Sequence, residues 1–264
     1  MIDINDLKIT FNPGTPLENK ALRGIDLHIP QSQFITVIGS NGAGKSTLLN
    51  ALAGEFLSPK GSVVLDSQDI SQWSVEKRAP SIARVFQDPL MGTCEDLTIE
   101  ENLALAQART KTRGLGIAAK RGYRNRFRDK LKLLQLGLEH RLNDKIGLLS
   151  GGQRQAVSLL MASLQPMKLL LLDEHTAALD PKTAAFILEL TKDIVSESKL
   201  TALMVTHSMS QALSVGDRTI MLHQGKVALD VHGDNRKGLT TQDLLDQFHK
   251  NYGAVDHDAL LLTS

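Results

Sequence analysis

The sequence has 264 residues, 42% of them hydrophobic, and a formal charge of +1, a composition that suits one large α/β domain and gives no global drive toward nucleic acid. Cys94 is the sole cysteine, which excludes an internal disulfide, argues against a cysteine-based zinc site and fits a reducing compartment. Residues 1–7 lack the basic opening and apolar stretch of an export signal, and runs such as residues 169–172 fall far short of the roughly 18 apolar residues that span a bilayer, so any membrane link is expected to run through a partner.

Strands are predicted at residues 2–11 and 22–29 around a turn cluster of Pro13, Gly14 and Pro16, then a buried strand at 34–38. Gly39, Ser40, Asn41, Gly42, Ala43, Gly44, Lys45, Ser46 and Thr47 follow, matching the pattern G-x-x-x-x-G-K-[ST] between a predicted strand and a helix at 45–53. Glycines let backbone N–H groups turn inward around a phosphate, and the next helix aims its positive end at the same anion. Lys45 is expected at the β- and γ-phosphates and the Ser46 hydroxyl at Mg²⁺. Strands at 62–65 and 82–86 come next, the latter ending at Gln87.

Residues 88–149 read as an inserted helical lobe. Thr98 and Glu101 predict a capping box that opens a helix at 99–108, and a second helix is expected at 127–136, stopped by Gly137. Leu149, Ser150, Gly151, Gly152 and Gln153 then open a helical stretch that is over before Pro166. A Ser-Gly-Gly run at a helix start offers a hydroxyl, unshielded N–H groups and a positive dipole end, although taken alone it is a plain cap. The strand 169–172 delivers Asp173, a carboxylate suited to Mg²⁺, and Glu174, which as its neighbour points elsewhere and is placed to polarise an attacking water. A helix at 181–196 capped by Asp180, a strand at 201–205 and a hairpin over 219–231 turning at Gln224 and Gly225 complete the pattern.

The order of these motifs, with L-S-G-G-Q just upstream of the apolar strand ending in Asp-Glu, resembles the ABC (ATP-binding cassette) ATPase family. The similarity runs over about residues 1–248. It implies an α/β P-loop NTPase core with a mainly parallel sheet (residues 1–87 and 150–248), an N-terminal antiparallel β subdomain, the inserted α-helical subdomain, and a tail at 249–264 that has no reading. It also implies ATP and Mg²⁺ as cofactors and a head-to-tail homodimer, each ATP lying between Gly39–Thr47 of one copy and Ser150, Gly151, Gly152 and Gln153 of the other. By the same resemblance Glu174, His207, Lys45 and Gln87 form the catalytic set, Gln87 and Asp173 join Ser46 at the metal, and His207 contacts the γ-phosphate. Phe11 takes the place of the ring that stacks on adenine, and Ala178, Leu179 and Asp180 cross the dimer interface. Two departures stand out: His175 replaces the usual proline after the glutamate, and Ala177 replaces a common serine.

As a family member the chain is expected to be a cytoplasmic ATPase, peripheral on the inner face of the cell membrane. It would drive separate integral-membrane permease subunits of an importer together with a substrate-binding protein, with no nucleic acid involved. Residues 86–105 and 173–183 look most like ATPases of amino-acid-type uptake systems. Residues 88–100 are the expected permease contact, and the basic run Lys111, Arg113, Lys120, Arg121, Arg124, Arg126 and Arg128 is read either as solvated surface or as a contact with anionic headgroups or a permease loop. The rivals are a soluble non-transport ABC ATPase, such as a cofactor-assembly factor, and a module that holds ATP without hydrolysing it. Tandem cassettes and long coiled coils, the marks of translation and repair members, are not seen in this sequence.

Overall fold

A computed structural model describes residues 1–57, 60–109 and 121–252. In chain order the elements are β1 (Ile2–Phe11), β2 (Asn19–Ile29), β3 (Phe34–Gly39), α1 (Lys45–Ala53), β4 (Lys60–Leu65), β5 (Gln68–Asp69), α2 (Val75–Arg78), β6 (Ile82–Val85), α3 (Ile99–Gln107), α4 (Arg121–Lys132), α5 (Gly151–Ser163), β7 (Leu169–Asp173), α6 (Pro181–Glu197), β8 (Ala202–Val205), α7 (Met209–Ser214), β9 (Arg218–His223), β10 (Lys226–His232) and α8 (Thr241–Tyr252). The chain divides into two compact units, one formed by residues 1–78 and 199–264, the other by 79–198.

In the first unit β1 pairs antiparallel with β2 and with β4, the N-terminal antiparallel layer expected from the alternation of Ile2, Ile4, Leu7 and Ile9. A second layer is built on β3, whose six residues are all buried. Strand β3 runs parallel to β8 on one side and to β9 on the other, and β9 turns back into β10. Ile38, Met221, Leu244 and Phe248 share an apolar cluster beneath it. Helix α1 ends at Gly54 in the left-handed conformation (φ 89°), where an added Cβ would meet Arg78 and the Trp73 carbonyl at 3.0 Å. The buried Arg78 guanidinium donates to the carbonyls of Ala51 (2.7 Å) and Leu52 (2.9 Å) in that last turn, and to those of Ile70, Ser71 and Trp73. One side chain thus satisfies helix-end carbonyls that have no intrahelical donor.

The second unit sets the parallel pair β6 and β7 beside a helical cluster in which Ile99, Leu103, Phe127, Leu131, Val157 and Ile187 are fully buried. The predicted capping box at Thr98 is present in both halves. The helix expected at 127–136 differs: α4 ends at Lys132, because the chain tightens into i→i+3 bonds at Leu133, Leu134 and Gln135, and Gln135 takes φ 54°. Leu134 and Leu138 nevertheless stay buried, so the apolar spacing was real while the backbone had left the α-helix.

Candidate active site

The loop between β3 and α1 is built from close approaches. At Gly39 (φ 150°) a Cβ would fall 2.3 Å from the Leu222 carbonyl oxygen, and at Gly44 (φ 104°) 2.8 Å from that of Ala21, so both positions require glycine. Gly44 opens α1 without any side-chain cap, and a helix N-terminus is a place where backbone N–H groups can meet an anion. Lys45 is buried, and its ammonium donates to the carbonyls of Gly39 (2.7 Å) and Ser40 (3.1 Å); Ser46 is exposed. His207 follows β8, and since Val37 and Val205 are in parallel register, the loop and His207 leave the same carboxyl edge of the sheet, where open α/β sheets bind ligands. Phe11, at the end of β1, is half-buried and meets Phe56 edge-on at 5.2 Å.

The other candidates lie in the second unit. Val85 pairs with Leu172 in parallel register, so Gln87 and Asp173 also emerge from one carboxyl edge, and they line one cleft of ≈ 360 Å³ with Arg84, Phe86, Asp88 and Ala178. Asp173 accepts from Arg84 Nη2 at 2.5 Å. Glu174 sits at φ 44°, the left-handed region that a non-glycine residue occupies at a cost of about 1 kcal/mol. The strand β7 ends at Asp173, and the chain turns at Glu174. Among the described residues no group of His, Cys, Asp and Glu forms a protein-only metal cage. The candidate metal donors of this unit, Asp173 and Gln87, offer hard oxygens, as does Ser46 in the first unit, and that is the ligand type suited to Mg²⁺.

Ser150 caps α5: its hydroxyl accepts from Gln153 N–H at 3.3 Å, while the Gln153 side-chain amide oxygen Oε1 accepts from Ser150 N–H at 3.2 Å. Ser150 and Gly151 are exposed, whereas Gly152 is buried. A Cβ on Gly152 would stand 2.1 Å from Thr183 Cγ2, so this glycine serves helix packing. Arg154 braces the entry, donating to the carbonyls of Ile146, Gly147 and Leu149. Asp180 caps α6 through Thr183 N–H at 3.1 Å, as its position before a proline predicts.

A family model described as ABC transporter matches residues 22–177. The chain belongs to the ABC transporter family. It is 45% identical, over 94% of its length and 98% of the relative's, to a tyrosine transport ATP-binding protein of Clostridioides difficile. To an aliphatic sulfonates import ATP-binding protein of Escherichia coli it is 33% identical over 85% of the chain and 84% of the relative. Among solved structures, a dimeric ATP-binding cassette in a post-hydrolysis state with ADP and Pi superposes with a TM-score of 0.75 at 29% identity, covering 88% of this chain and 98% of that one. The chain is therefore a nucleotide-binding ABC ATPase with the α/β P-loop cassette fold.

Against the family pattern, His175 proves to be a core residue. It is buried, bonded through Nε2 to Thr191 Oγ1 at 2.9 Å, and burial holds its pKa down to about 4. Because the Thr191 hydroxyl donates to the Ile187 carbonyl, Nε2 carries the proton and the neutral ring locks the post-glutamate turn onto α6. Of the basic run, Lys111, Arg113 and Lys120 lie outside the described residues; Arg124 binds Glu100 and Asn143, and Arg128 bonds to Asn125 at 3.3 Å. Arg84 is the residue that sequence reading missed. Its signal was a cation inside the short apolar strand Ile82–Val85, where a charge needs a partner.

Proposed function

We propose that this ATPase energises uptake through a separate membrane permease, working as a head-to-tail homodimer with Mg²⁺·ATP at each of two shared sites. The observation that carries this reading is the order and placement of four motifs in one chain: the phosphate loop and His207 at the carboxyl ends of β3 and β8, and Gln87 with Asp173 and Glu174 at the carboxyl ends of β6 and β7. The near full-length likeness to transport and import ATP-binding proteins supports uptake, and the relative named for tyrosine transport favours an amino-acid-type cargo. No helix among the described residues is long and apolar enough to cross a membrane. By the likeness to transport and import ATP-binding proteins we place the chain peripherally on the inner face, with a substrate-binding protein in the same system. Leu90 and Met91, 39% and 70% exposed, give residues 88–100 an apolar tip for the permease contact.

In this reading the loop amides and Lys45 hold the β- and γ-phosphates, and Ser150 with Gly151 of a second copy closes over the γ-phosphate from the opposite side. Glu174 orients the attacking water and accepts its proton, His207 and Gln87 sense the γ-phosphate, and Phe11 supports the base. Asp173, Gln87 and Ser46 would hold Mg²⁺, which would supply positive charge to the phosphate oxygens.

Glu174→Gln keeps the side chain's size and removes its basicity, so it should bind ATP, lose most turnover and accumulate as a dimer. A mild-detergent pull-down of that tagged variant with ATP should bring an integral-membrane protein at one cassette per permease subunit. Unimpaired hydrolysis would sink the role given to Glu174; recovery of soluble partners alone would replace the transport reading with an assembly role.

A further inference from the structure

Asp173 ends a strand whose four leucines are all fully buried, and its side chain is only 14% exposed. A carboxylate in such a place is costly unless a cation meets it. The cation here is Arg84, itself 12% exposed, 2.5 Å away through Nη2 and Oδ2. It reaches Asp173 from the neighbouring parallel strand, where it pairs with Leu171. The same guanidinium lies over the Phe86 ring, 4.7 Å from its centroid, which favours a planar cation. Arg84 therefore joins the strand that leads to Gln87 to the carboxylate read as the metal ligand, and both ends of that link line one cleft.

We infer that Arg84 is the counter-ion of the metal carboxylate: it neutralises Asp173 in the metal-free protein and competes with a divalent cation for it, so that it sets how much Mg²⁺ nucleotide binding requires. The inference rests on the reading of Asp173 as a metal ligand. The physics fixes its sign. A fixed positive charge bonded to Asp173 occupies one of its oxygens and repels an incoming dication, so metal affinity is lower than the carboxylate alone would give. In return the metal-free state avoids an uncompensated buried charge. Arg84 is thus a positioning residue, acting on the site through Asp173.

The test is a Mn²⁺ titration, followed by the electron paramagnetic resonance of free Mn²⁺, in the presence of a non-hydrolysable ATP analogue. Arg84→Met should lower the Mn²⁺ concentration at half-saturation by about fivefold or more, while Arg84→Lys, which keeps the charge, stays near wild type. Without ligands Arg84→Met should melt below wild type, and Mn²⁺ with the analogue should raise its Tm by more than they raise that of wild type, because the metal then replaces the missing cation. An unchanged or weaker Mn²⁺ affinity with an unchanged ligand-induced Tm shift would overturn the inference and leave a merely structural ion pair. Should Arg84→Met be too unstable to purify, Arg84→Gln, which keeps a donor and loses the charge, gives the same comparison. Asp173→Asn separates the two levels: if it leaves Mn²⁺ affinity intact, Asp173 is not a ligand and the reading beneath the inference falls with it.

Discussion

At the scale of single residues, adjacent positions of one motif do different physical work. Gly151 and Gly152 both belong to the string that marks the family, yet Gly151 is exposed and Gly152 is pressed against the first turn of α6. A Cβ on Gly151 would meet Leu179 Cδ2 at 3.7 Å, an ordinary contact, whereas on Gly152 it would overlap Thr183 Cγ2 at 2.1 Å. Thr183 is β-branched and its N–H is held by Asp180, so it has little freedom to turn away. Gly152→Ala should therefore lower unfolding free energy by about 1–3 kcal/mol, measured by urea denaturation, and Gly151→Ala should stay within about 0.5 kcal/mol of wild type. Adding Thr183→Ser, which deletes the clashing methyl, should recover part of the loss. Equal stability of the two alanine variants would show that α5 and α6 do not meet as closely as described. Letters alone could not make this distinction, because the chemistry of a glycine lies in what surrounds its missing side chain.

At the scale of elements, the strands and helices with strong periodicity were legible, and their ends were legible only where the sequence marks them. Leu169–Asp173 and Lys45–Ala53 read correctly because an apolar run closing on an acid, and a glycine loop opening a helix, each carry a start and a stop. The short α2 and α7 and the C-terminal α8 went unread; α2 and α7 have four and six residues, too few for a period to show. What fastens such pieces is also invisible locally. Arg78, Arg154 and Arg236 each gather several backbone carbonyls, Arg236 those of Ala212, Leu213 and Val215 at the end of α7, and in sequence such arginines look like any surface cation. Arg78 matters most for function, since α1 carries Lys45 and Ser46. Replacing it with Met leaves five carbonyls without that donor and should cost about 3 kcal/mol or more, read by urea denaturation, with faster amide exchange in the last turn of α1. Lysine should not rescue it, because one ammonium cannot span carbonyls on both sides of a planar fork. Full stability of Arg78→Met would mean that water serves those carbonyls as well.

At the scale of the whole molecule, the candidate site was legible because its motifs are short, ordered and tied to strand ends, while the pair Arg84–Asp173 was not, since it joins residues 89 positions apart. The proposed assembly has a consequence that neither unit alone could display. If each ATP is held by Lys45 of one copy and Ser150 of the other, a Lys45→Ala protein and a Ser150→Phe protein are each inactive for different reasons. In a mixed dimer one site receives both defects and the other receives none, so mixing two dead proteins should restore turnover, to at most about a quarter of wild type for random pairing. The comparison needs the two variants separately, the mixture, and a pull-down with ATP in which the two variants carry different affinity tags, so that mixed dimers are counted. A site completed within a single chain predicts the opposite: both variants stay as inert together as apart. A mixture that forms heterodimers and remains inactive would therefore remove the head-to-tail arrangement, and with it the role assigned to Ser150, while leaving Lys45 at the phosphates.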